Sequence, residues 1–151
     1  MKKNIILTLA VFLAAMSTPI YAQDLPGIVL DKRLHLYWQD NRVSQKNSDD
    51  WYEANDYCEK LALNGMDKWR LPTFKELFSI VDYTRTNPAV NSAFSFTHED
   101  TYWTSTNFAA TPSRAWTIDF RTGATYYSYK STNHGIRCVR DIPQKEKKEI
   151  K

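Results

Sequence analysis

The clearest apolar pattern of the chain lies near its middle. Thr73 and Glu76 have the spacing of a capping box, in which each side chain accepts a hydrogen bond from a free backbone N–H at a helix start. Pro72 disfavours helical geometry in the residue before it, so we expect the helix to begin at 74 and to end near Val81 or Asp82. Apolar side chains then recur at the spacing of one helix face: Phe74, Leu77, Phe78 and Val81. A helix of about nine residues is marginal alone, so this face must pack on the rest of the domain.

An earlier segment has the same periodicity and predicts another helix. Its apolar stripe consists of Trp51, Ala54, Cys58 and Leu61. The polar stretch 41–50 is expected to be a loop that ends in a helix cap at Ser48 or Asp50. Asn64 and Gly65 are typical of a helix C-terminus, so we expect the helix to stop there. Cys58 is thereby placed on the buried face of the first helix.

Period-two alternation predicts strands on both sides of these helices. Leu34, Leu36 and Trp38 alternate with polar or amphipathic residues, as in a half-buried strand. Four further strands are expected at 101–106, 114–120, 124–130 and 135–140, with a turn at Thr122 and Gly123 between two of them. Helices followed by antiparallel strands predict an α+β fold, with two helices packed on short antiparallel strands.

The N-terminus has the features of an export signal. Lys2 and Lys3 precede an apolar run over 5–16 that is too short to span a bilayer comfortably, and Ala22 ends a suitable cleavage site. We therefore predict a signal peptide over 1–22, one domain over 23–142 and a disordered charged tail over 143–151. An uncleaved anchor is the alternative. The expected location is the periplasm or the cell exterior, with no stable membrane span after cleavage.

Export decides the interpretation of the two cysteines. In an oxidising compartment, Cys58 and Cys138 are expected to form one disulfide. Cys138 shares a face with Ile136 in the last predicted strand, which would place it over the first helix. The alternative is a pair of buried free thiols. A disulfide would leave no cysteine nucleophile and no cysteine ligand for a metal.

Charge argues against nucleic acid as a partner. The formal net charge of +3 falls to +1 without the two lysines of the signal, and the tail contributes four lysines against two glutamates. The folded part is therefore near −1, whereas nucleic-acid-binding domains carry a basic excess.

The order and spacing of several segments resemble a known family. These segments are Leu36–Gln39, then 54–58, 67–73 with 75–77, 102–106, 115–116, 120–123 and 137–140. Together they resemble the C-terminal domain of the collagen-like adhesin Lcl, over about residues 29–141. The resemblance implies the compact α+β fold shared by formylglycine-generating enzymes and C-type-lectin-like domains. It also implies a bridge from the first helix to the last strand, which Cys58 and Cys138 fit. In the adhesin this domain binds sulfated polysaccharides and forms a trimer.

No catalytic or metal-binding set emerges from the residues. An oxidase of the formylglycine-generating type needs a reactive cysteine pair, and the two cysteines fit a structural bridge. His35, His98 and His134 lack metal-ligand spacing. Glu99, Asp100 and Asn107 flank Trp103, but the triplets of a calcium-dependent lectin are missing. Arg70 is expected to pair with a carboxylate or strand-end carbonyls. The remaining tryptophans are expected in the core: Trp38, Trp51, Trp69 and Trp116. We expect no cofactor and no enzymatic activity.

A run rich in tyrosine and small polar residues, over 126–134, is the best candidate binding surface. Such residues provide contact area and adaptable hydrogen bonds at low entropic cost. The candidate ligand-binding residues are Arg114, Arg121, Tyr127, Tyr129, Lys130 and His134. A solvated sheet face with ordinary tyrosines is the alternative. The sequence thus favours an exported binding module for a glycan or an envelope protein, with oligomerisation left open. A structural component of an envelope assembly is the second hypothesis.

Overall fold

The computed structural model describes residues 25–98, 100–143 and 148. The predicted signal peptide 1–22 and most of the predicted tail 143–151 lie outside these residues, as does Glu99. The helices are α1 (Arg42–Lys46), α2 (Trp51–Lys60) and α3 (Phe74–Phe78). The strands are β1 (Ile28–Asp31), β2 (Leu36–Gln39), β3 (Ser48–Asp49), β4 (Thr101–Asn107), β5 (Arg114–Asp119), β6 (Ala124–Tyr129), β7 (His134–Gly135) and β8 (Val139–Asp141). The predicted α+β class is confirmed.

The described strands form two sheets. One has the order β1-β2-β8 and the other the order β3-β7-β4-β5-β6. Neighbours pair antiparallel except β4 and β7, which are parallel. The single final strand predicted over 135–140 is wrong, because the chain leaves the larger sheet after Gly135 and joins the smaller one at Val139. Between them Ile136 donates its backbone N–H to Asn47 and the Cys138 carbonyl accepts from Gln39, so this segment links the two sheets.

Strand β2 is buried on both faces, so the predicted half-buried strand is wrong. Its alternate side chains enter two separate clusters of buried residues. Tyr37 belongs to the cluster that contains the α2 residues Ala54 and Cys58. Leu36 and Trp38 belong to the other cluster, which includes Leu77 of α3. The alternation predicted from the sequence is present, but each face of the strand has a core to pack against.

The capping box predicted for α3 is confirmed. The Thr73 hydroxyl accepts from the Glu76 amide, and the Glu76 carboxylate accepts from the Thr73 amide. The helix is shorter than predicted, because after Phe78 the chain continues in tighter turns. Ile80 and Val81 donate to the carbonyls three residues before them rather than four. Val81 still packs on the same core cluster as Phe74 and Leu77, whereas Phe78 is exposed.

Helix α2 begins where the sequence predicts and ends earlier. The Asp50 side chain accepts from the amides of Tyr52 and Glu53, which confirms it as the N-cap. The helix ends at Lys60, and Asn64 and Gly65 instead form a separate turn closed by a bridge between 63 and 66. The loop predicted over 41–50 contains α1, which Asn41 and Ser44 cap reciprocally. The described residues therefore contain three helices, one more than the sequence predicts.

Two covalent and electrostatic links join the first half of the chain to its end. Cys58 of α2 is bonded to Cys138, as predicted, with Cα atoms 5.6 Å apart. Next to it the buried guanidinium of Arg137 pairs with Asp40 at 3.0 Å and also donates to Phe96 and Thr97. Asp40 in turn accepts the amides of 95 and 96. The loop after α3 is thus fastened to the core by one arginine and one carboxylate.

Candidate ligand-binding surface

Seven aromatic rings form a continuous band on one side of the larger sheet. We call this set the aromatic band; its members are Phe74, Phe78, Tyr83, Phe108, Trp116, Tyr127 and Tyr129. The residues come from α3, from the loops after α3 and β4, and from β5 and β6. Four of these rings are exposed: Phe78 by 38%, Tyr83 by 66%, Tyr127 by 45% and Tyr129 by 53%.

Ring contacts connect the middle of the aromatic band without a gap. Phe108 stacks on Tyr127 with centroids 4.0 Å apart, and both rings meet Trp116 edge-on, at 5.4 Å and 5.9 Å. Trp116 contacts Phe74 at 5.3 Å. Phe74 then stacks on Phe78 at 5.8 Å. Stacked and edge-to-face pairs at these distances are favourable arrangements for aromatic rings, so the aromatic band has a fixed shape.

Strand register determines which side chains of the sheet reach this surface. Arg114 lies opposite Tyr129, and Trp116 lies opposite Tyr127. Successive side chains of a strand point to opposite faces, so these four residues share one face. The turn that sets the register contains Gly123 at φ +78°, and a Cβ there would meet Val81 at 2.6 Å. The predicted turn at Thr122 and Gly123 is therefore present and fixes the cross-strand pairs.

Arg114 lies at one end of the aromatic band. Its guanidinium carbon is 4.1 Å from the centre of the Tyr129 ring and 5.3 Å from that of Tyr127. Its Nη2 donates to the Tyr129 hydroxyl at 2.6 Å, whereas its buried Nε has no hydrogen-bond partner among the described residues. Within the described residues no carboxylate lies within ion-pair distance of this arginine. Arg114 is therefore a positive charge between two tyrosine rings, and it retains hydrogen-bond donors that could bind a ligand.

Two further polar groups of the aromatic band are available. Trp51, Trp69 and Trp103 donate their indole N–H to backbone carbonyls. Neither the indole N–H of Trp116 nor the hydroxyl of Tyr127 makes a hydrogen bond within the part of the chain that the structure describes. The surface thus combines apolar rings with a donor, a hydroxyl and a guanidinium.

Two of the tryptophans expected in the core are only partly buried. Trp38 and Trp69 are buried, as predicted. Trp51 is half-buried and packs against the core cluster of α2, whereas Trp116 is half-buried and belongs to neither core cluster, so the prediction is wrong for Trp116. Trp116 instead forms the centre of the aromatic band.

Lys130 lies away from the aromatic band, although the sequence groups it with Tyr127 and Tyr129. Its ammonium nitrogen is 4.0 Å from the centre of the Trp51 ring and 5.8 Å from that of Tyr52, both in α2. Only 9% of the residue is exposed. Cation–π attraction accounts for this placement, and the lysine helps to seat α2 on the sheet.

Arg121 is at the other end of the β5–β6 pair and has a partner. Its Nη2 donates to Asp119 at 2.8 Å, and its Nε donates to the same carboxylate. The guanidinium lowers the pKa of Asp119 through these hydrogen bonds, against the effect of burial. Arg121 is therefore a neutralised charge and is not brought together with Arg114.

His134 packs edge-on against the buried ring of Trp103, with centroids 4.6 Å apart. Burial lowers the pKa of its imidazole, while the nearby Asp100 acts in the opposite direction. Its Nε2 is buried and has no hydrogen-bond partner among the described residues. Of the six residues predicted from the sequence, the structure thus brings together Arg114, Tyr127 and Tyr129 and places the other three elsewhere.

The sequence missed five rings of this surface: Phe74, Phe78, Tyr83, Phe108 and Trp116. Phe74 and Phe78 were assigned to the core because they lie on the apolar face of a helix. Phe108 follows β4 in a loop, and no local pattern distinguishes it. The place of Trp116 in this surface could have been predicted from the turn at Thr122 and Gly123, because the strand register that the turn sets pairs Trp116 with Tyr127. Within the described residues no three His, Cys, Asp or Glu side chains are grouped so as to hold a metal ion.

Comparison with known families gives one result. The family described as Lcl C-terminal domain matches residues 27–140, which include the disulfide, the whole aromatic band and all of both sheets except the last residue of β8. No curated protein matches the chain.

Proposed function

This chain belongs to the Lcl C-terminal domain family, and we propose on that basis that it is an exported, non-enzymatic module that binds a glycan through the aromatic band. The observation that carries the proposal is the position of Arg114, an unpaired guanidinium between two exposed tyrosine rings. Sugars offer C–H groups that pack on ring faces, and hydroxyls or acidic groups that accept from a cation. At one end of the aromatic band, the tyrosine rings could contact the C–H groups of a sugar and Arg114 could donate to its oxygens.

The form of this surface supports a binding role. Ligand sites combine apolar and aromatic side chains with a few well-placed polar groups. Here those polar groups are Arg114, the Trp116 indole and the Tyr127 hydroxyl. The rings come from five chain segments and all except Tyr129 contact another ring, so little side-chain freedom remains to be lost when a ligand binds.

The proposal includes the finer fold and the absence of catalysis. A C-type-lectin-like or formylglycine-generating-enzyme-like architecture is supported by the bond from α2 to the segment just before β8. Because Cys58 and Cys138 are both in that bond, neither offers a thiol for oxidative chemistry.

Export to the periplasm or the cell surface rests on the N-terminal signal. None of the described helices is long and apolar enough to cross a membrane.

A protein partner is the second candidate function, and the exposure of the aromatic band favours it. Four exposed rings in one patch are also typical of protein interfaces, where tyrosine and arginine dominate the binding energy. In that case the chain would be a structural component of an envelope assembly.

Two tyrosines on opposite faces of β6 provide a matched test. Tyr126 and Tyr127 are neighbours with similar exposure, 54% and 45%, but only Tyr127 belongs to the aromatic band. The wild-type chain is applied to a glycan array at low and high salt, and the strongest ligand is then titrated into Tyr126→Ala, Tyr127→Ala and Arg114→Gln.

We expect about a tenfold or greater loss of affinity for Tyr127→Ala and Arg114→Gln and little change for Tyr126→Ala. Part of the wild-type affinity should be lost at high salt, because the contact to Arg114 is screened. Failure of every glycan to bind, or equal effects of the two tyrosine variants, would overturn the glycan proposal.

A further inference from the structure

A second recess lies beside β1, apart from the rings described above. We call it the edge groove; it has a volume of about 550 Å³. One wall consists of β1 and the two residues after it, and the other of residues 79–80 with Asn91, Ala93 and Phe94. Ile80 and Phe94 supply apolar surface, and both are largely buried beneath the groove. Its size is within the range of about 300–1,000 Å³ that is usual for ligand sites.

The backbone of β1 has an open side along the edge groove. Strand β1 is the outer strand of its sheet and pairs only with β2 among the described strands. Asp40 donates its backbone N–H to the Gly27 carbonyl at 2.8 Å. In an antiparallel pair, the backbone N–H and C=O groups of successive residues point alternately toward the partner strand and away from it. The backbone groups of Val29 therefore point toward β2, as those of Gly27 do. The amide and the carbonyl of Leu30 therefore face the open edge.

One end of the edge groove is positively charged. Lys32 and Arg33 are exposed, line the groove, and make no ion pair within the described residues. Asp31 is the one carboxylate in the lining, and it accepts the Leu34 amide in the turn. Unpaired backbone groups, an apolar floor and two free cations are therefore found together.

We infer that the edge groove binds an extended acidic peptide segment of a partner protein, which adds to the sheet beside β1. Main-chain hydrogen bonds to Leu30 would hold the peptide, its apolar side chains would lie toward Ile80 and Phe94, and its carboxylates would pair with Lys32 and Arg33. Strand addition of this kind takes its affinity from the backbone and its selectivity from alternate side chains. The inference is independent of the proposed glycan function.

Two labelled peptides test this assignment. One is the fluorescein-labelled octapeptide Gly-Ser-Val-Asp-Val-Glu-Val-Ser, and the other has lysine in place of both acidic residues. Fluorescence anisotropy with the disulfide-intact chain should show at least about tenfold tighter binding of the acidic peptide. The double variant Lys32→Glu/Arg33→Glu should reverse that preference. The matched control Lys68→Glu/Arg85→Glu changes the net charge equally at exposed positions outside the groove and should leave the preference unchanged.

Backbone pairing has its own readouts. N-methylation of the acidic peptide is made separately at the valines and at the residues between them; the set whose amides face β1 should abolish binding and the other set should not. Hydrogen exchange at the Leu30 amide should slow when the unmodified peptide binds. Absence of binding, an unreversed preference, or indifference to N-methylation would overturn the inference. A dimer that the Lys32→Glu/Arg33→Glu variant dissociates would place a second copy in the groove and would overturn it as well. Loss of glycan binding in the Tyr127→Ala variant affects none of these outcomes.

Discussion

Arg114 and Tyr129 face each other across β5 and β6, and the tyrosine hydroxyl accepts a hydrogen bond of 2.6 Å from the guanidinium that lies over its ring. Tyr129→Phe retains the ring and removes the acceptor, so Arg114 would lose its orientation but not its charge. We expect the free energy of unfolding to change by less than about 1.5 kcal/mol.

Affinity for the array-selected glycan should fall several-fold in the same variant, while the dependence of binding on salt remains. Titration calorimetry at two salt concentrations measures both quantities. If affinity is unchanged, Tyr129 does not position the arginine. If the salt dependence disappears together with the affinity, Tyr129 acts through more than orientation.

The buried pair of Arg137 and Asp40 predicts a large loss of stability. In Arg137→Met the Asp40 carboxylate would remain buried without its counter-charge, and the carbonyl of 96 would lose a donor. We expect a cost of about 3–5 kcal/mol in chemical denaturation. Lys60→Met breaks an ion pair with Asp56 in which both side chains are solvent-accessible, and it is the matched control with a much smaller expected effect. Equal costs for the two variants would contradict this account.

Glu76 predicts a loss of stability on the acid side. Burial alone would raise its pKa, but hydrogen bonds from the Arg70 guanidinium and the Thr73 amide outweigh that effect and lower the pKa from the ordinary 4.5. The folded state therefore favours the carboxylate. Its contribution is present above the unfolded-state pKa and is lost as pH falls through the folded-state value.

Glu76→Gln retains an acceptor for the capping box and removes the charge. At neutral pH it should cost about 1 kcal/mol, because the Arg70 pair is partly exposed. Below the folded-state pKa of Glu76 the difference from wild type should shrink toward zero. Urea denaturation across the acid range measures it. A difference that stays constant with pH would mean that the charge of Glu76 contributes nothing.

The disulfide predicts a further loss of stability. It closes a separation of 80 residues, for which chain entropy gives about 4.5 kcal/mol. The Cys58→Ala/Cys138→Ala variant should unfold at a correspondingly lower urea concentration. Reduction of the disulfide in the wild-type chain should lower its stability to nearly that of the variant. Equal stability of the oxidised and reduced chains would contradict the assigned role.

Features set by neighbours in sequence were predictable. The capping box of Thr73 and Glu76 and the Asp50 cap depend on residues within one helical turn. Cys58 and Cys138 are far apart, but the helical stripe placed one of them in the core and the export signal favoured their pairing. The turn at Gly123 was predictable because few other residues adopt its φ.

Features set by distant packing were not predictable. Helix α1 has almost no apolar face. Its capping box has Ser44 at the third helical position, where Glu or Gln is usual, together with Asn41 as the N-cap. Nothing in the sequence shows that the chain changes sheets between Gly135 and Val139. A core on each side of β2 is likewise a property of the whole fold.

The binding residues illustrate both cases. Tyr127, Tyr129 and Lys130 are adjacent in sequence, but strand periodicity already separates the lysine from the tyrosines, and the structure places it on α2. Phe108 reaches Tyr127 only because β4 and β5 are paired. The surface is formed by alternate residues of several strands. A search for runs of similar residues in the sequence therefore finds only part of it.

The five tryptophans allow the central claim to be tested in a single titration. Trp116 is the one that belongs to the aromatic band, and its indole N–H makes no hydrogen bond within the described residues. In a ¹H–¹⁵N spectrum the array-selected glycan should shift the Trp116 indole signal far more than those of Trp38, Trp51, Trp69 and Trp103. A saturating titration that leaves the Trp116 signal in place would contradict glycan binding at the aromatic band, as would one that shifts the Trp51 signal instead.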